Sequence, residues 1–275
     1  MNRLGIELLS VFAMNPVAQV TLAADLGCGF ISTGLTPFPV NPHHYAPWSL
    51  KDDPALRREM IAAMRDRDVR ISLGEGFAIR PGVDVADRGD ELDIMAELGA
   101  LCLGGVGMEP DLARATDQFG LLVEMAEARG LKVTIEFAPV LPIANLDQAL
   151  ALVLKLDRPD FRVLVDAMHF FRSGADPAAL AAVDPNLIGY VQLCDAPLVA
   201  SEPDYMREAT FERRVPGEGE LPLADFVFSL PDHVVIGLEV PMLAKAEAGV
   251  SPSDRLRPAV EAARRLIEAK GKSGC

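Results

Sequence analysis

The chain is poor in histidine, in cysteine and in positive charge, and each shortage removes a class of function. Lysine and arginine total 26 against 40 aspartates and glutamates, a net charge of −14 over 275 residues. Binding a phosphate backbone needs a basic face, so this balance excludes a nucleic-acid partner and suits a small-molecule substrate. The four cysteines (Cys28, Cys102, Cys194 and Cys275) are scattered with no CxxC spacing, and they read as reduced structural thiols. No apolar run approaches the roughly 18 residues of a membrane span, so no membrane partner is expected. The opening MNRLGIELLSVF lacks the apolar core and cleavage site of a secretory signal. It reads as a first strand, which predicts a cytoplasmic protein. The first strand-turn, VFAMNP, lacks the glycine fingerprint of a dinucleotide site. The run LGGVG at 103–107 is not followed by a Gly-Lys-Ser/Thr signature, so it reads as a strand end rather than a phosphate cradle.

What is present is alternation. Half the residues are apolar, enough to build one large α/β barrel or two ordinary domains. The strand-like segments are GIELLSV, FISTGL, VRISLGEG, ALCLGGVG, KVTIEFAP, FRVLVDAMH, IGYVQLCDAP and VVIGLEVP. Helix-like segments follow them near 15–26, 54–67, 84–98, 111–129, 146–156, 177–183, 223–230 and 253–270. Asn15-Pro16, Asp53-Pro54 and Asp176-Pro177 each place a capping side chain before a proline at the first helical position. Leu98-Gly99 and Arg129-Gly130 read as helix ends. Eight such units without a linker predict a single-domain (β/α)8 barrel over residues 1–275, with a doubly wound open sheet as the alternative.

The second half of the chain repeats one pattern. Glu136, Asp166, Gln192 and Glu239 each end a β-branched run of the kind buried on both faces, with Asp195 close behind Gln192. A carboxylate in such a run is costly unless something pairs with it, and a divalent cation pairs several at once. No strand carries a basic residue at an equivalent position. In a barrel the active site lies where strands end and loops begin. Glu136 and Glu239 are then expected to face each other across the mouth, with Asp166 and Gln192 between them. Three carboxylates and an amide oxygen form a hard donor set that favours Mg²⁺ or Mn²⁺ over Zn²⁺.

Other residues are expected around this centre. His169, three residues after Asp166, reaches the mouth from an extended loop and contacts substrate or orients a ligand. Arg213, in the Gly-flanked segment from Glu208 to Glu220, suits an anionic substrate group. Glu75 ends the third strand and lines the pocket. Pro42-His43-His44-Tyr45 reads as either a lid or substrate contact or a plain surface loop, and the sole tryptophan, Trp48, is compatible with a loop over the mouth.

These residues resemble the sugar isomerase/epimerase family with the xylose-isomerase-like TIM barrel, which includes ketose 3-epimerases, inosose dehydratases, 3-dehydroshikimate dehydratases and endonuclease IV. Glu136, Asp166 within Asp-Ala-Met-His, and Glu239 match three of the family's four metal ligands. Arg213-Arg-Val-Pro-Gly matches its substrate-contacting R-x-x-P-G, and His169 matches the histidine of D-x-x-H. The fourth ligand is usually histidine; here the matching position is Gln192, as in some 3-dehydroshikimate dehydratases. The loop after Glu136, Ala-Pro-Val-Leu-Pro-Ile, lacks the acidic substrate contact of ketose epimerases. Endonuclease IV needs more histidine ligands than four histidines supply.

The resemblance implies a metal-dependent isomerase or epimerase acting on a polyhydroxylated carbonyl compound, and it is compatible with a homo-oligomer. Glu136 or Glu239 is expected to remove a proton next to the carbonyl, giving a metal-stabilised enediolate. Loss of a β-hydroxyl instead would make the chain a dehydratase. A non-catalytic barrel that binds sugar or metal is the alternative of another class.

Overall fold

Residues 3–273 are described by a computed structural model, which is a closed parallel barrel in the order β1 to β8. The strands are β1 (Leu4–Ile6), β2 (Phe30–Thr33), β3 (Arg70–Ile79), β4 (Cys102–Gly107), β5 (Lys132–Glu136), β6 (Phe161–Asp166), β7 (Ile188–Leu193) and β8 (Ile236–Leu238). β1 closes the ring against β8, pairing Leu4 with Ile236 and Ile6 with Leu238. The open-sheet alternative is therefore excluded.

Around the barrel run α1 (Leu8–Val11), α2 (Pro16–Asp25), α3 (Pro54–Arg67), α4 (Gly89–Glu97), α5 (Leu112–Glu127) and α6 (Leu146–Leu156). They are followed by α7 (Ala167–Arg172), α8 (Pro177–Ala181), α9 (Tyr205–Phe211), α10 (Leu223–Ser229), α11 (Leu243–Glu247) and α12 (Pro252–Ser273). The expected caps form: the Asn15 side chain accepts from the amides of Val17 and Ala18, Asp53 from Ala55 and Leu56, and Asp176 from Ala179. Gly99 and Gly130 take φ of 75° and 72° after their helices, the left-handed turn that glycine adopts at least cost. Among the described residues no helix is long and apolar enough to cross a membrane.

Three expectations need correction. GIELLSV is not one strand: β1 ends at Ile6, and Leu8–Val11 winds into a helical turn instead. β3 does not stop at Glu75 but runs on to Ile79 through a register shift between Gly74 and Phe77. The segment 84–98 divides into a tight turn, Val85–Arg88, and α4.

Packing explains LGGVG. A Cβ on Gly105 would stand 2.8 Å from the ring of Phe119, so glycine lets α5 seat that ring directly on β4. Burying a side chain of this size stabilises by about 1.5–3 kcal/mol. Cys28, Cys102 and Cys194 are free and buried, and burial pushes the first two thiols up to about 12. Cys275 lies outside the described residues.

Candidate active site

The strand ends of β5 to β8 bring four predicted residues together. Glu136 closes β5, Asp166 closes β6, Gln192 lies one residue inside the end of β7, and Glu239 follows β8 directly. Asp166 is in register with Gln192, and Gln192 with Gly237. One carboxylate oxygen each from Glu136, Asp166 and Glu239 lies within 4.8 Å of the others. The two glutamates thus meet at one point rather than facing each other across the mouth. β5 to β8 are consecutive strands on one arc of the wall, and their side chains bend toward its centre.

Gln192 Nε2 donates to Glu239 Oε1 at 3.1 Å and to Glu7 Oε2 at 3.2 Å. Its own Oε1 is buried and has no hydrogen-bond partner. A buried acceptor left unpaired costs about 1–3 kcal/mol, so this oxygen wants a donor or a cation. Together with the three carboxylates it makes a set of hard oxygens that could hold a divalent ion.

Arg213 is the positive group already among them. Its Nη1 donates to Asp166 Oδ2 and lies 2.9 Å from Glu239 Oε2, while its Nε donates to Ala209 O at 2.6 Å. The acids are therefore paired by an arginine after all, one supplied by the loop after α9 rather than by a strand. Burial pushes Asp166 up, but Arg213 and His169 outweigh it and hold the carboxyl below its ordinary range. Glu239 shares the same guanidinium yet stays well above 4.5, because burial and the neighbouring acids prevail. Of this pair, Asp166 is drawn down and Glu239 pushed up.

Beneath these residues lies an acid the strand pattern was not used to find. Glu7, fully buried, accepts from Tyr190 Oη at 2.7 Å, and Tyr190 meets Ser72 Oγ at 2.9 Å. Burial, opposed by the hydrogen bonds from Tyr190, Gln192 and Ser32, pushes Glu7 up to about 7. Gly237 is glycine for a steric reason: any Cβ there would collide with the Glu7 carboxylate and stand 2.8 Å from Tyr190 Oη. Glu75 projects at the β3 register shift, where Gly76 takes φ of 100°, and it accepts from Ser32 Oγ. Burial and then the charge of Glu7 push it up to about 8.

His169 is not in an extended loop. Asp166 caps α7 by accepting from the His169 amide at 2.8 Å, so the D-x-x-H spacing is a helix N-terminus. The imidazole Nδ1 lies 2.5 Å from Tyr205 Oη, and Nε2 lies 3.4 Å from Glu136 Oε1. Burial pushes the Tyr205 phenol up, and its hydroxyl shares a hydrogen bond with Nδ1; in the tautomer where the hydroxyl donates, the Nε2 proton faces Glu136.

Asp195 does not join the site. Its carboxylate accepts from the amides of Ala196, Gly217 and Leu221 at 2.8, 2.8 and 3.1 Å, fastening the loop that carries Arg213. Trp48 is buried, its Nε1 donating to Ala13 O at 3.1 Å. Pro42–Tyr45 do not line the cavity. That cavity, of about 790 Å³, takes in Glu75, Glu136, His169, Gln192, Arg213 and Glu239. Its opposite rim carries Lys51, Arg80 and Arg88, with Glu91 between Lys51 and Arg88. The Arg88 guanidinium lies 4.5 Å over the Phe77 ring.

A closed parallel barrel with converging acids at its strand ends defines the class of protein. Residues 20–268 match the family described as Xylose isomerase-like TIM barrel, and the chain belongs to that family. A 3-dehydroshikimate dehydratase of Pseudomonas putida is 30% identical over 189 residues, 63% of this chain. The match spans only 29% of that relative's length. An IolI protein solved with a bound zinc atom superposes with a TM-score of 0.77 at 15% identity, covering 98% of this chain and 99% of the other. An L-ribulose 3-epimerase gives 0.74 at 16% identity, covering 100% and 97%. At these identities the two structures speak for the fold alone.

Proposed function

We propose that the chain is a divalent-metal-dependent enzyme that removes a proton beside the carbonyl of a polyhydroxylated substrate, and that it acts as a dehydratase on an anionic cyclic hydroxyketone of the 3-dehydroshikimate type. The observation that carries the reading is the convergence of Glu136, Asp166 and Glu239 within 4.8 Å, with Gln192 held against Glu239 by its Nε2 and its buried Oε1 left unpartnered. These four residues would hold the ion. When bound, it supplies Lewis-acid polarisation of the carbonyl oxygen and answers the charge that develops there.

The chain's own residues supply the rest. Glu136 is half-buried at the cavity floor with His169 Nε2 beside it, placed to accept the proton. Arg213 keeps Asp166 ionised and is long enough to turn toward substrate oxygen when another cation takes its place between the acids. Glu75, which accepts from Ser32 Oγ, lines the cavity and is placed to meet substrate hydroxyls. The Lys51–Arg80–Arg88 rim carries more positive charge than Glu91 cancels, and it suits a substrate carboxylate better than a neutral sugar. Loss of water from 3-dehydroshikimate yields an aromatic ring, a product stability that epimerisation does not offer.

Isomerisation or epimerisation is the second reading. It is favoured by Glu136 and Glu239 meeting at one point, where one carboxylate can take a proton and the other return it. The test is metal content by mass spectrometry after Mn²⁺ loading, with aromatic absorbance followed on 3-dehydroshikimate. About one metal per wild-type chain, a loss in Glu239→Ala and growth of the aromatic band are expected. Metal binding with epimerised ketose but no aromatic product would favour the second reading. Absence of metal from the wild type would overturn both.

A further inference from the structure

Arg255, in the first turn of α12, is buried at 2% exposure and forms no ion pair among the described residues. Its Nη1 donates to Ser10 O at 3.2 Å, and its guanidinium lies 5.4 Å over the Phe12 ring. Nε and Nη2 are buried with no hydrogen-bond partner. A guanidinium keeps its charge under almost all conditions, and a buried charge without a counter-charge is expensive. The two free nitrogens form one edge of the planar group, the fork that receives both oxygens of a carboxylate side by side.

A second unpartnered group lies close by. His43 Nε2 is also buried without a hydrogen bond, on the loop whose Tyr45 ring sits 5.5 Å from the His43 ring. Arg255 is near enough to act electrostatically on both His43 and Tyr45. The acid next in sequence, Asp254, is turned away to Ser251 Oγ at 2.7 Å. None of Ser10, Phe12, His43, Tyr45 and Arg255 lines the catalytic cavity.

We propose that the Arg255 edge, covered by the His43–Tyr45 loop, is a binding site for a small carboxylate anion separate from the catalytic cavity. Its position gives it a route to the acids. Ser10, whose carbonyl holds Arg255, donates its amide to Glu7 O at 3.1 Å and its hydroxyl to Leu238 O at 2.8 Å. The same hydroxyl accepts from the Val240 amide at 2.7 Å, so Ser10 brackets Glu239 from both sides. An anion drawing on Arg255 therefore bears on the backbone that sets Glu7 and Glu239. The site stands whether or not the catalytic reading is right, since none of its groups belongs to the reaction.

The probe is acetate, with chloride at equal ionic strength as the control. Thermal unfolding of the full chain is followed beside the side-chain Nε–H resonances of ¹⁵N-labelled arginine. Acetate should raise the wild-type midpoint saturably by about 2 °C or more and shift one arginine Nε signal. Arg255→Met should lose both effects. Arg255→Lys, which keeps the charge without the fork, should need at least about tenfold more acetate. Arg255→Lys also carries the test if the methionine variant does not fold. Equal acetate effects in wild type and variants, or no effect in wild type, would overturn the proposal and leave Arg255 as a cation held on the Phe12 ring.

Discussion

Two carboxylate triads share Glu239 and differ in what answers their charge. The upper one, Glu136–Asp166–Glu239, meets cationic or proton-bearing nitrogen: Arg213 between two of its members and His169 beside the third. In the lower one, Glu7–Glu75–Glu239, the two acids it does not share are hydrogen-bonded by neutral donors: Tyr190, Gln192 and Ser32. Burial is severe in both. Arg213 and His169 draw Asp166 down, whereas Glu7 and Glu75 are pushed up to about 7 and about 8, and Glu239, on the same guanidinium but crowded by other acids, is pushed up as well. Beside Arg213 and His169 a buried carboxyl such as Asp166 is set toward the charged form, while beside neutral donors Glu7 and Glu75 are set toward the protonated one.

The largest effect should come from removing the cation of the upper triad. Arg213→Met leaves Asp166 buried with no guanidinium, and breaking a buried pair from one side costs about 3–5 kcal/mol. Urea unfolding of metal-free protein should show that loss, and Mn²⁺ should restore part of it by taking the vacated place. If Arg213→Met is as stable as wild type without metal, Asp166 does not depend on its partner and the contrast between the triads collapses.

The lower triad should reveal itself through pH. Folded Glu7 holds its proton up to about 7, whereas the unfolded chain releases it near the ordinary 4.5. The native state therefore binds more protons at Glu7 between those values, so the share of stability that Glu7 gives metal-free wild type is lost as pH rises from 4.5 to 7, and Glu75, pushed up to about 8, carries the loss further. Raised from 4.5 to about 7, Glu7 can account for a ceiling of roughly 3 kcal/mol. Glu7→Gln should flatten this slope while keeping the side chain's volume. Parallel pH profiles for the two proteins would show that Glu7 is ionised throughout and that the lower triad behaves like the upper.

Much of this site was readable before folding, and the exceptions have physical causes. Glu136, Asp166 and Glu239 stood out because a carboxylate in a β-branched run is costly without a partner. Glu7 carried the same signal in GIELLSV, but taking that run as one long strand put it mid-strand. β1 in fact stops at Ile6, which makes Glu7 another strand-end acid. Asp195 looked equivalent to Gln192 but is out of phase: alternation along β7 puts Tyr190 and Gln192 on one face, and Asp195 beyond the strand turns to the loop. The short helices α1, α7, α9 and α11 are four to seven residues long, too brief for a 3.6-residue period to show. Arg213 was recognised as a binding residue, but its place between Asp166 and Glu239 depends on how its loop folds back, which neighbouring residues do not encode.

The finest contrast lies within the upper triad, between the acid held by Arg213 and the one beside His169. Tyr205 Oη lies 2.5 Å from the imidazole Nδ1, and when it donates there it sets the Nε2 proton of His169 toward Glu136. Tyr205→Phe removes one hydroxyl and leaves the ring packed 5.6 Å from the imidazole. Stability should fall by about 1 kcal/mol, the net worth of one hydrogen bond. If His169 presents Glu136 to the substrate, turnover of the proposed substrate, 3-dehydroshikimate, should fall about tenfold with KM nearly unchanged, as for a group that orients a reacting residue. A raised KM at unchanged turnover would instead put Tyr205 and His169 on the binding side of the cavity, and Glu136 would hold its position without them.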